Sequence, residues 1–402
     1  HSWACDAAII RNDTIEKAGQ LVFAGVKLWK WSPGNDAAFY ELSQLWPLGL
    51  SFLAVLGSST ARYLPDEEGK IYDCTESEIV DWCKHNAEVL QKGLDELETI
   101  CTEVDIELHP SLGKTSLENA VFSCPGLSEQ FSQAMLQAGI WRHSRRAYFG
   151  GRNEVYQTSG VVDYVDRNSS YPAEYLRDYP IGKLQYLDSQ SEVESAFMNG
   201  SLGIYQVRVT IKPGMIAPLP VRNGIHLYFP VGTWEGVYNS ADLETALSVD
   251  ADIQFRQAWI WSNKRPILQP FLEKYAHLKN YGIFGKWSKL FLNSLSGKLG
   301  QSNETEIVTV SPKGEYLRGW MPKDVDRRIW TRNIYHIPKR ASPIIAGYIT
   351  AYARQELHRL MNDSDGLTYV DTDSIMAKKI SGQIMISERI GDWKFEGHNV
   401  KV

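Results

Sequence analysis

Two segments that read as β-strands each end on carboxylates, and this feature constrains the fold more than any other in the sequence. Residues 161–166 form a short apolar run that ends on Asp166, and residues 367–377 read as a strand, a turn and a second strand. The turn carries Asp371 and Asp373, two positions apart. Side chains at i and i+2 of extended backbone point to the same side. The pattern predicts a sheet with carboxylates gathered at one edge, although an isolated Asp-x-Asp is more often an ordinary turn.

Gathered carboxylates repel one another unless cations lie between them. Mg²⁺ prefers a few carboxylates together with the phosphates of a substrate. Two such ions about 3.5–4 Å apart activate a hydroxyl and stabilise a pyrophosphate leaving group in an in-line displacement. These residue types therefore favour phosphoryl-transfer chemistry with Mg²⁺ as the expected cofactor.

The composition is that of an ordinary globular protein, because 43% of the 402 residues are apolar and 22% are charged. It excludes a disordered, collagen-like or coiled-coil protein, and no apolar run approaches the ~18–20 residues of a membrane span. The five cysteines all lie in the first third of the chain, and none forms a Cys-x-x-Cys pair. A zinc site or a disulfide framework is therefore not expected, and a reducing, intracellular location is the default.

The chain divides into three regions of different character, which together predict an α+β fold. Residues 1–144 mix loops with helical patterns, and residues 159–262 are rich in strands. In the remainder, the pattern predicts a long helical stretch over 270–299, a polar strand-prone insert over 301–340 and a helix over 342–361.

Charge is distributed unevenly along the chain. The formal net charge is −6, which argues weakly against binding to nucleic acid. Residues 61–130 contain 5 Lys or Arg and 16 Asp or Glu, whereas residues 256–345 contain 16 Lys or Arg and 6 Asp or Glu. The second block, with a net charge of +10, can supply phosphate contacts that the whole-chain charge conceals. A plain solvated surface is the alternative interpretation.

One helical face inside this basic block has side chains suited to a triphosphate and its sugar. Lys289 and Asn293 are four residues apart and therefore lie on the same face, with Lys286 close by. The alternative is an ordinary solvated helix face.

Four motifs, in their order along the chain, resemble those of the family-B DNA polymerases. Residues 369–374 look like the YxDTDS motif, residues 166–172 resemble DxxSLYP, and residues 289–297 resemble KxxxNSxYG. The first aspartate lies 123 residues before the lysine, and the lysine lies 82 residues before the Asp-Thr-Asp triplet. These spacings suit the protein-primed branch found in phages, adenoviruses and linear plasmids. Residues 148–151 resemble the YxGG motif of that branch.

The resemblance implies a right-hand polymerase fold with an antiparallel-sheet palm, helical fingers and a partial exonuclease domain of the RNase H-like type. The implied segments are a partial, inactive 3′–5′ exonuclease-like domain over 1–144, the YxGG linker and first palm motif over 145–172, the palm with a first protein-priming insert over 173–262, the fingers over 263–298, a second insert over 299–341, and the palm with the catalytic hairpin over 342–402.

The resemblance also implies roles for individual residues. The catalytic residues, which would also bind two Mg²⁺ ions with Mn²⁺ as an alternative, are Asp166, Asp371 and Asp373. The implied nucleotide-binding residues are Tyr171, Ser169, Lys289, Asn293 and Lys279. The implied DNA-binding residues are Tyr148, Gly150, Gly151, Ser294, Gly297, Lys298 and Thr372. Tyr171 would lie under the sugar, where a ribose 2′-hydroxyl collides with it, and a packed core tyrosine is the alternative.

The chain departs from the family pattern at several positions. Ser296 stands where the family usually has a tyrosine near the nascent base pair, and Ser170 replaces a leucine. In the exonuclease-like region Asp6 matches a metal ligand, but Asn86 stands where an aspartate is expected. These differences predict altered fidelity or nucleotide affinity and no proofreading. The first exonuclease motif and the thumb would lie beyond the two ends, so the sequence is interpreted as a piece of a longer polypeptide.

The implied reaction is template-directed addition of deoxynucleotides to a 3′-hydroxyl or to a hydroxyl of a terminal protein. The implied partners are primer–template DNA, deoxynucleoside triphosphates and a terminal protein, with no membrane, and the expected location is the host cytoplasm if the protein is viral. Two other classes stay open. One is a catalytically impaired, polymerase-derived nucleic-acid-binding replication protein, and the other is a reverse transcriptase or primase.

Overall fold

The computed structural model describes most of the chain beyond residue 75 and three short strands before it. The described residues are 20–24, 27–32, 39–40, 76–109, 111–137, 139–224, 226–301, 304–310, 316–323, 329–335 and 337–401. As far as they are described, the residues form two compact units. The first comprises His1–Asn119, Leu278–Phe291 and Ser302–Ile337, and the second comprises Ala120–His277, Leu292–Gln301 and Pro338–Val402.

The strands, in chain order, are β1 (Gln20–Ala24), β2 (Lys27–Ser32), β3 (Phe39–Tyr40), β4 (Asn153–Val155), β5 (Val161–Arg167), β6 (Tyr179–Leu187), β7 (Gly203–Ile211), β8 (Val221–Asn223), β9 (His226–Tyr228), β10 (Gly232–Asn239), β11 (Asp252–Arg265), β12 (Glu304–Val310), β13 (Met321–Pro322), β14 (Ile329–Tyr335), β15 (Ser364–Asp371), β16 (Ser374–Ile380) and β17 (Trp393–Lys401).

The α-helices are α1 (Glu76–Glu103), α2 (Leu112–Ser123), α3 (Ser132–Gln137), α4 (Trp141–Arg146), α5 (Ser170–Ala173), α6 (Gln190–Met198), α7 (Ser240–Leu247), α8 (Gln269–Tyr275), α9 (Phe284–Leu299) and α10 (Pro343–Asn362). Among the helices of the described residues, none is both long enough and apolar enough to cross a lipid bilayer.

A five-stranded antiparallel sheet in the second unit carries the carboxylates predicted from the sequence. Its order is β17-β5-β16-β15-β4. One face of the sheet is apolar because inward-pointing residues alternate along each strand, as in Ile375 and Ala377 of β16. This face packs on helix α10 through the buried side chains Leu357, Leu360 and Met361. The strand, the turn and the second strand predicted over 367–377 are confirmed as β15 and β16.

A second, four-stranded antiparallel sheet in the same unit has the order β10-β7-β11-β6. Strand β7 buries Tyr205, Val207, Val209 and Ile211 at every second position, which is the period of a strand with one face in the core. Helices α6 and α7 cover this core. The strand-rich character predicted for residues 159–262 is confirmed.

The first unit contains a six-stranded sheet whose order is β13-β14-β12-β1-β2-β3. Strands β12 to β14 confirm the strand-prone insert predicted over 301–340. Strands β1 to β3 lie in a region that the sequence pattern assigned to helices and loops, so that assignment is wrong there. Gln20 of β1 pairs with Thr309 of β12. This pairing joins two segments assigned to different domains, and the predicted domain boundaries stay a prediction.

The helical stretch predicted over 270–299 is interrupted. Helix α8 ends at Tyr275, a 3₁₀ turn spans Ala276–Asn280, and Gly282 has a φ of +53° before α9 begins at Phe284. Left-handed backbone ends a helix, and glycine adopts it without steric cost. The predicted helical stretch is therefore divided between two helices, whereas the helix predicted over 342–361 is confirmed as α10.

Candidate active site

Strand pairing places Asp166 and Asp373 next to each other. Strands β5 and β16 are antiparallel neighbours, and Asp166 lies opposite Ser374 in their register. The N–H of Arg167 donates to the carbonyl oxygen of Asp373 at 2.8 Å. Two of the three predicted catalytic residues therefore lie at the same end of one strand pair, although 207 positions of sequence numbering divide residues 166 and 373.

The hairpin between β15 and β16 fixes the third carboxylate. Thr372, at the tip, has a φ of +52° and donates its N–H to the carbonyl oxygen of Arg152 at 2.6 Å. Asp371 accepts hydrogen bonds on both carboxylate oxygens, at 3.2 Å from the Thr372 hydroxyl and at 3.3 Å from the Tyr369 hydroxyl. The side chain of Asp371 is thus held within its own hairpin.

The donor chemistry fits Mg²⁺ as the sequence predicted. Among the described residues, no three His, Cys, Asp or Glu side chains are placed to hold one ion by themselves. Mg²⁺ usually takes one or two carboxylates and completes its shell with water and substrate phosphates. Asp166 and Asp373, whose backbones meet at the end of the β5–β16 pair, are the candidates for such a pair. A cationic group already lies beside the first of them, because Nζ of Lys394 is 3.7 Å from Oδ1 of Asp166.

The segment after Asp166 turns sharply and presents a tyrosine to the carboxylates. Ser169 has a φ of +50°, and its buried hydroxyl has no hydrogen-bond partner among the described residues. Tyr171 follows in the short helix α5. Burial raises the pKa of Tyr171 to about 12, Arg354 opposes the shift, and the charges of Asp373 and Asp371 add to it. The phenol is therefore neutral at pH 7 and lies within electrostatic range of both aspartates.

The loop over residues 387–392, just before β17, is hydrogen-bonded to the start of this turn. The N–H of Asn168 donates to the Asp392 carbonyl at 2.9 Å, and its side-chain amide donates to the Ser387 carbonyl at 2.7 Å. Arg167 donates to the Gly391 carbonyl at 2.9 Å and pairs with the buried Glu174 carboxylate. The two residues before the turn are thus tied to the loop, and Arg167 also ties Glu174, which follows Tyr171, to the end of β5.

The predicted YxGG segment lies against the catalytic hairpin. A Cβ added at Gly151 would lie 2.5–2.9 Å from side-chain atoms of Thr372, so this position has room only for glycine. Tyr148 packs in a similar way, because a Cβ added at Gly300 would lie 2.3 Å from its hydroxyl oxygen. The two predicted DNA-contact positions, Gly151 and Thr372, are in contact with each other, and their contacts with DNA stay a prediction.

Helix α10 supplies residues that the sequence interpretation missed. Arg354 donates to the carbonyl oxygens of Phe149 at 2.9 Å and Gly150 at 2.6 Å. The same guanidinium binds the buried carboxylate of Asp242 at 2.7 and 2.9 Å. Thr350, one turn earlier, donates to the Phe149 carbonyl at 2.6 Å. Polar residues spaced by four on the buried face of the helix are the signal that marks such contacts.

The predicted triphosphate helix is α9, and it contributes residues to both units. Lys289 is exposed and belongs to the first unit, as does Lys279, which lies in the 3₁₀ turn Ala276–Asn280. The other predicted residues of α9 belong to the second unit; these are Asn293, Ser294, Gly297 and Lys298. The joint role of the two lysines with the catalytic aspartates therefore stays a prediction.

Ser296, where the family usually has a tyrosine, is buried in α9. Its hydroxyl donates to the Asn293 carbonyl at 2.9 Å. The fully buried Tyr175 reaches the same part of the helix and donates its hydroxyl to the Leu292 carbonyl at 2.8 Å. The segment that carries Tyr171 is therefore tied to α9 through Tyr175.

The exonuclease-like positions are described only in part. Asp6 lies outside the described residues, and Asn86 lies in helix α1. The predicted loss of proofreading stays a prediction.

Comparison with known families identifies the chain. Residues 64–335 match the family model described as "DNA polymerase type B, organellar and viral", which is more than half of the sequence. This chain belongs to the type B DNA polymerases of organelles and viruses. The family resemblance deduced from the four motifs is thereby confirmed.

Relatives of this type B polymerase chain come from fungi and a phage. A probable DNA polymerase of Neurospora intermedia is 26% identical over 356 residues, which cover 79% of this chain and 36% of that protein. The DNA-directed DNA polymerase of Enterobacteria phage PRD1 is 24% identical over 292 residues, covering 66% of this chain and 49% of that protein. The chain thus spans between about a third and a half of the length of these two curated relatives.

Solved structures show the same fold. Phi29 DNA polymerase superposes with a TM-score of 0.67 at 18% identity, covering 94% of this chain and 69% of that one. Its complex with primer–template DNA and incoming nucleotide substrates gives a TM-score of 0.66 at 17% identity, covering 94% and 70%. The right-hand polymerase fold expected from the resemblance is confirmed.

Proposed function

We propose that this chain carries out template-directed DNA synthesis, transferring deoxynucleotides to a 3′-hydroxyl or to a hydroxyl of a terminal protein. The observation that carries the proposal is the adjacency of Asp166 and Asp373, which the Arg167 N–H to Asp373 carbonyl bond fixes at the end of the β5–β16 pair. The family supports DNA as the product, and the solved complex of phi29 DNA polymerase holds primer–template DNA and incoming nucleotide substrates.

The carboxylates have different tasks in this proposal. Asp166 and Asp373 bind the metal ions, and Asp371 stays beside them because hydrogen bonds from Thr372 and Tyr369 hold both of its oxygens. When bound, Mg²⁺ or Mn²⁺ neutralises the carboxylates and the substrate phosphates. The protein's contribution is then to hold the attacking hydroxyl and the triphosphate in line.

Tyr171 selects the sugar. Its phenol stays neutral because the pKa is about 12, so the ring adds no charge that would repel the phosphates. Its position near Asp371 and Asp373 supports a place under the sugar of the incoming nucleotide. Ser169, whose buried hydroxyl has no hydrogen-bond partner in the part of the chain that the structure describes, offers a donor on the same turn.

The remaining predicted contacts complete the substrate sites. Lys289, Lys279 and Asn293 bind the triphosphate, where the lysines act as point charges toward phosphate. The DNA backbone is bound by Tyr148, Gly150, Ser294, Gly297 and Lys298, together with Gly151 and Thr372. A terminal protein as primer and an intracellular site of action in a host are parts of the proposal that rest on the protein-primed resemblance.

Primer extension on a short template with Mg²⁺ tests this function. Asp373→Asn preserves the shape of the side chain and removes its charge. It should lower the extension rate about a thousandfold or more, since several kcal/mol of transition-state stabilisation are lost. Asp365→Asn alters an exposed aspartate of strand β15, which leads into the turn that carries Asp373; it is the matched control and should extend at the wild-type rate.

Three outcomes separate the alternatives. Extension that survives in Asp373→Asn contradicts the assigned site. Extension that prefers ribonucleotides indicates a primase or reverse transcriptase. DNA binding without extension by the unaltered chain indicates the impaired binding protein.

A further inference from the structure

The edge strand β17 brings a lysine to the first of the predicted metal-binding carboxylates. Lys394 lies opposite Asp166 in the register of β5 and β17, and its Nζ is 3.7 Å from Oδ1 of that aspartate. Directly opposed side chains on antiparallel strands share one face of the sheet. The ammonium group therefore lies beside an oxygen that the proposed function assigns to a divalent ion.

The same ammonium group has a second carboxylate partner. Nζ of Lys394 also contacts Oε1 of Glu396. The β5–β17 register shifts between Phe395 and Gly397, so Glu396 is the extra residue of a β-bulge. Bulges re-aim side chains, often next to active sites. This bulge leaves Glu396 beside the lysine, although Glu396 is not among the predicted metal ligands.

All three side chains have room to move. Their exposed fractions are 30% for Lys394, 25% for Asp166 and 37% for Glu396. A lysine ammonium is a compact charge on a flexible stem. In the structure Nζ is already closer to Oε1 of Glu396 than to Oδ1 of Asp166, so it can leave Asp166 and keep its contact with Glu396 while its backbone stays in the strand. An ion pair of this exposure is weak, whereas a divalent ion brings twice the charge to the same carboxylate.

We propose that Lys394 is the resident counter-cation of Asp166, that a divalent metal ion displaces it from that aspartate, and that Glu396 retains the displaced ammonium group. The inference rests on the proposed function, because it takes Asp166 as a metal ligand. Lys394 and Glu396 are then positioning residues with opposite effects. The lysine competes with the metal, and the glutamate draws the lysine away. Together they set the metal concentration at which the site fills.

The direct test is to measure the binding of Mn²⁺ to the chain without DNA. Electron paramagnetic resonance monitors binding as the loss of the free-ion signal. Lys394→Met should lower the Kd for Mn²⁺ about three- to tenfold, the scale of one partly solvated charge contact. Glu396→Gln should raise the Kd by a similar factor, because it leaves the ammonium group to Asp166 alone. Lys394→Arg keeps the charge and should remain within about twofold of wild type.

The matched control is Lys379→Met, an exposed lysine of β16 whose register partner is Asp365. This variant should leave the Kd unchanged. Equal unfolding midpoints of all variants in urea ensure that a shift in Kd reports charge and not loss of fold. A structural role for Lys394 alone would weaken Mn²⁺ binding in Lys394→Met, which is the opposite of the expected direction.

A further variant, Asp166→Asn, separates failure of this inference from failure of the proposed function. Mn²⁺ binding that persists undiminished in Asp166→Asn overturns the metal site and the lysine's role together. Binding that depends on Asp166 but is unchanged or weakened in Lys394→Met overturns the role of Lys394 alone. Opposite shifts in Lys394→Met and Glu396→Gln support the inference.

Discussion

At the scale of single residues, the contact between Gly151 and Thr372 gives a physical reason for a glycine that the motif alone leaves unexplained. A Cβ at Gly151 would approach within 2.5–2.9 Å of three side-chain atoms of Thr372. Thr372 is constrained at the tip of the hairpin, because its N–H is bonded to the Arg152 carbonyl. The glycine therefore allows the YxGG segment to pack against the turn that carries Asp371 and Asp373.

Gly151→Ala should lower the free energy of unfolding by about 1–3 kcal/mol, the usual cost of overpacking. Thr372→Gly removes the opposing atoms and suits the φ of +52°, so the double variant should recover most of the loss. Urea denaturation measures both. Gly297→Ala is the control. Apart from its own helix, no atom of the described residues lies within 4 Å of its added Cβ, and alanine in helix α9 should stabilise by about 0.5–1 kcal/mol. Equal stability of Gly151→Ala and wild type would show that the contact is absent.

His358 makes stability depend on pH. Its Nε2 lies 2.9 Å from the Ile216 carbonyl, and Asn362 donates to Nδ1 at 3.1 Å, so the neutral ring uses both nitrogens. Burial lowers the pKa of His358 from 6.5 to about 4, the bond to Ile216 opposes the shift, and Arg152 adds to it. Between these values the unfolded chain binds a proton that the folded chain does not. The histidine's contribution is therefore complete above about pH 6.5 and is lost as the pH falls toward 4.

The loss should approach 1.4 kcal/mol per pH unit within that window. Urea denaturation at several pH values compares wild type with His358→Gln. The comparison isolates His358 because all other titratable groups are present in both proteins. The variant should show the shallower decline between pH 6.5 and pH 4. Parallel curves would mean that His358 has the same pKa in the folded and the unfolded chain.

At the scale of elements, helix α10 packs on the apolar face of the five-stranded sheet and holds nearby backbone segments in place. Thr350, Arg354 and His358 recur every four residues and so lie on one helix face. The first two bind the carbonyl oxygens of the YxGG segment, and His358 binds the Ile216 carbonyl. Helix α10 thereby fixes two backbone segments, the YxGG segment after α4 and the segment around Ile216 after β7.

Arg354→Met should destabilise the chain by about 3–5 kcal/mol, because it leaves the buried Asp242 carboxylate without its cation. Burial already raises the pKa of Asp242, and Arg354 is what opposes that shift. Arg354→Met combined with Asp242→Leu should lose less than Arg354→Met alone. Arg359→Met, which removes an exposed partner of Glu356, is the control and should change stability by less than about 1 kcal/mol.

Chemical denaturation of the four proteins forms a double-mutant cycle for the buried pair, with Asp242→Leu as the fourth member. Strictly additive losses would contradict a direct coupling between Arg354 and Asp242.

At the scale of the whole molecule, charge is segregated along the chain. A net charge of −6 hides a block over 256–345 with a net charge of +10 and a block over 61–130 with 16 acidic and 5 basic residues. Binding to DNA should therefore depend on a local basic surface and not on the net charge.

The affinity for a short primer–template should fall linearly on a log–log scale with salt concentration, with a slope of about −0.7 to −0.9 for each phosphate contact. Lys298→Gln should make the slope shallower by about one contact. Lys92→Gln, which alters an exposed lysine in the acidic block, should leave the slope unchanged. Fluorescence anisotropy between low and high salt measures all three proteins. An identical slope for Lys298→Gln and wild type would remove this lysine from the DNA contacts.

Local sequence patterns alone predict many of the elements of this structure. The alternation of β7, the apolar stretch of α10 and the turn between β15 and β16 are properties of neighbouring residues, so the sequence predicts them. The same holds for the catalytic candidates, because Asp166 and the Asp-Thr-Asp triplet are short motifs with a recognisable order. Gly282, by contrast, ends a helical pattern that the surrounding residues favour, and the interruption of 270–299 was missed for that reason.

Pairings between distant segments were decided only by the tertiary structure. The bond of β1 to β12, the ion pair of Arg354 with Asp242 and the approach of Lys394 to Asp166 each join residues far apart in the chain. Such contacts depend on which strand lies next to which and on register, and no local periodicity encodes either. The sequence by itself determined which residues are available for chemistry. The fold decided which of them meet, because burial and strand pairing select one arrangement among many with the same local pattern.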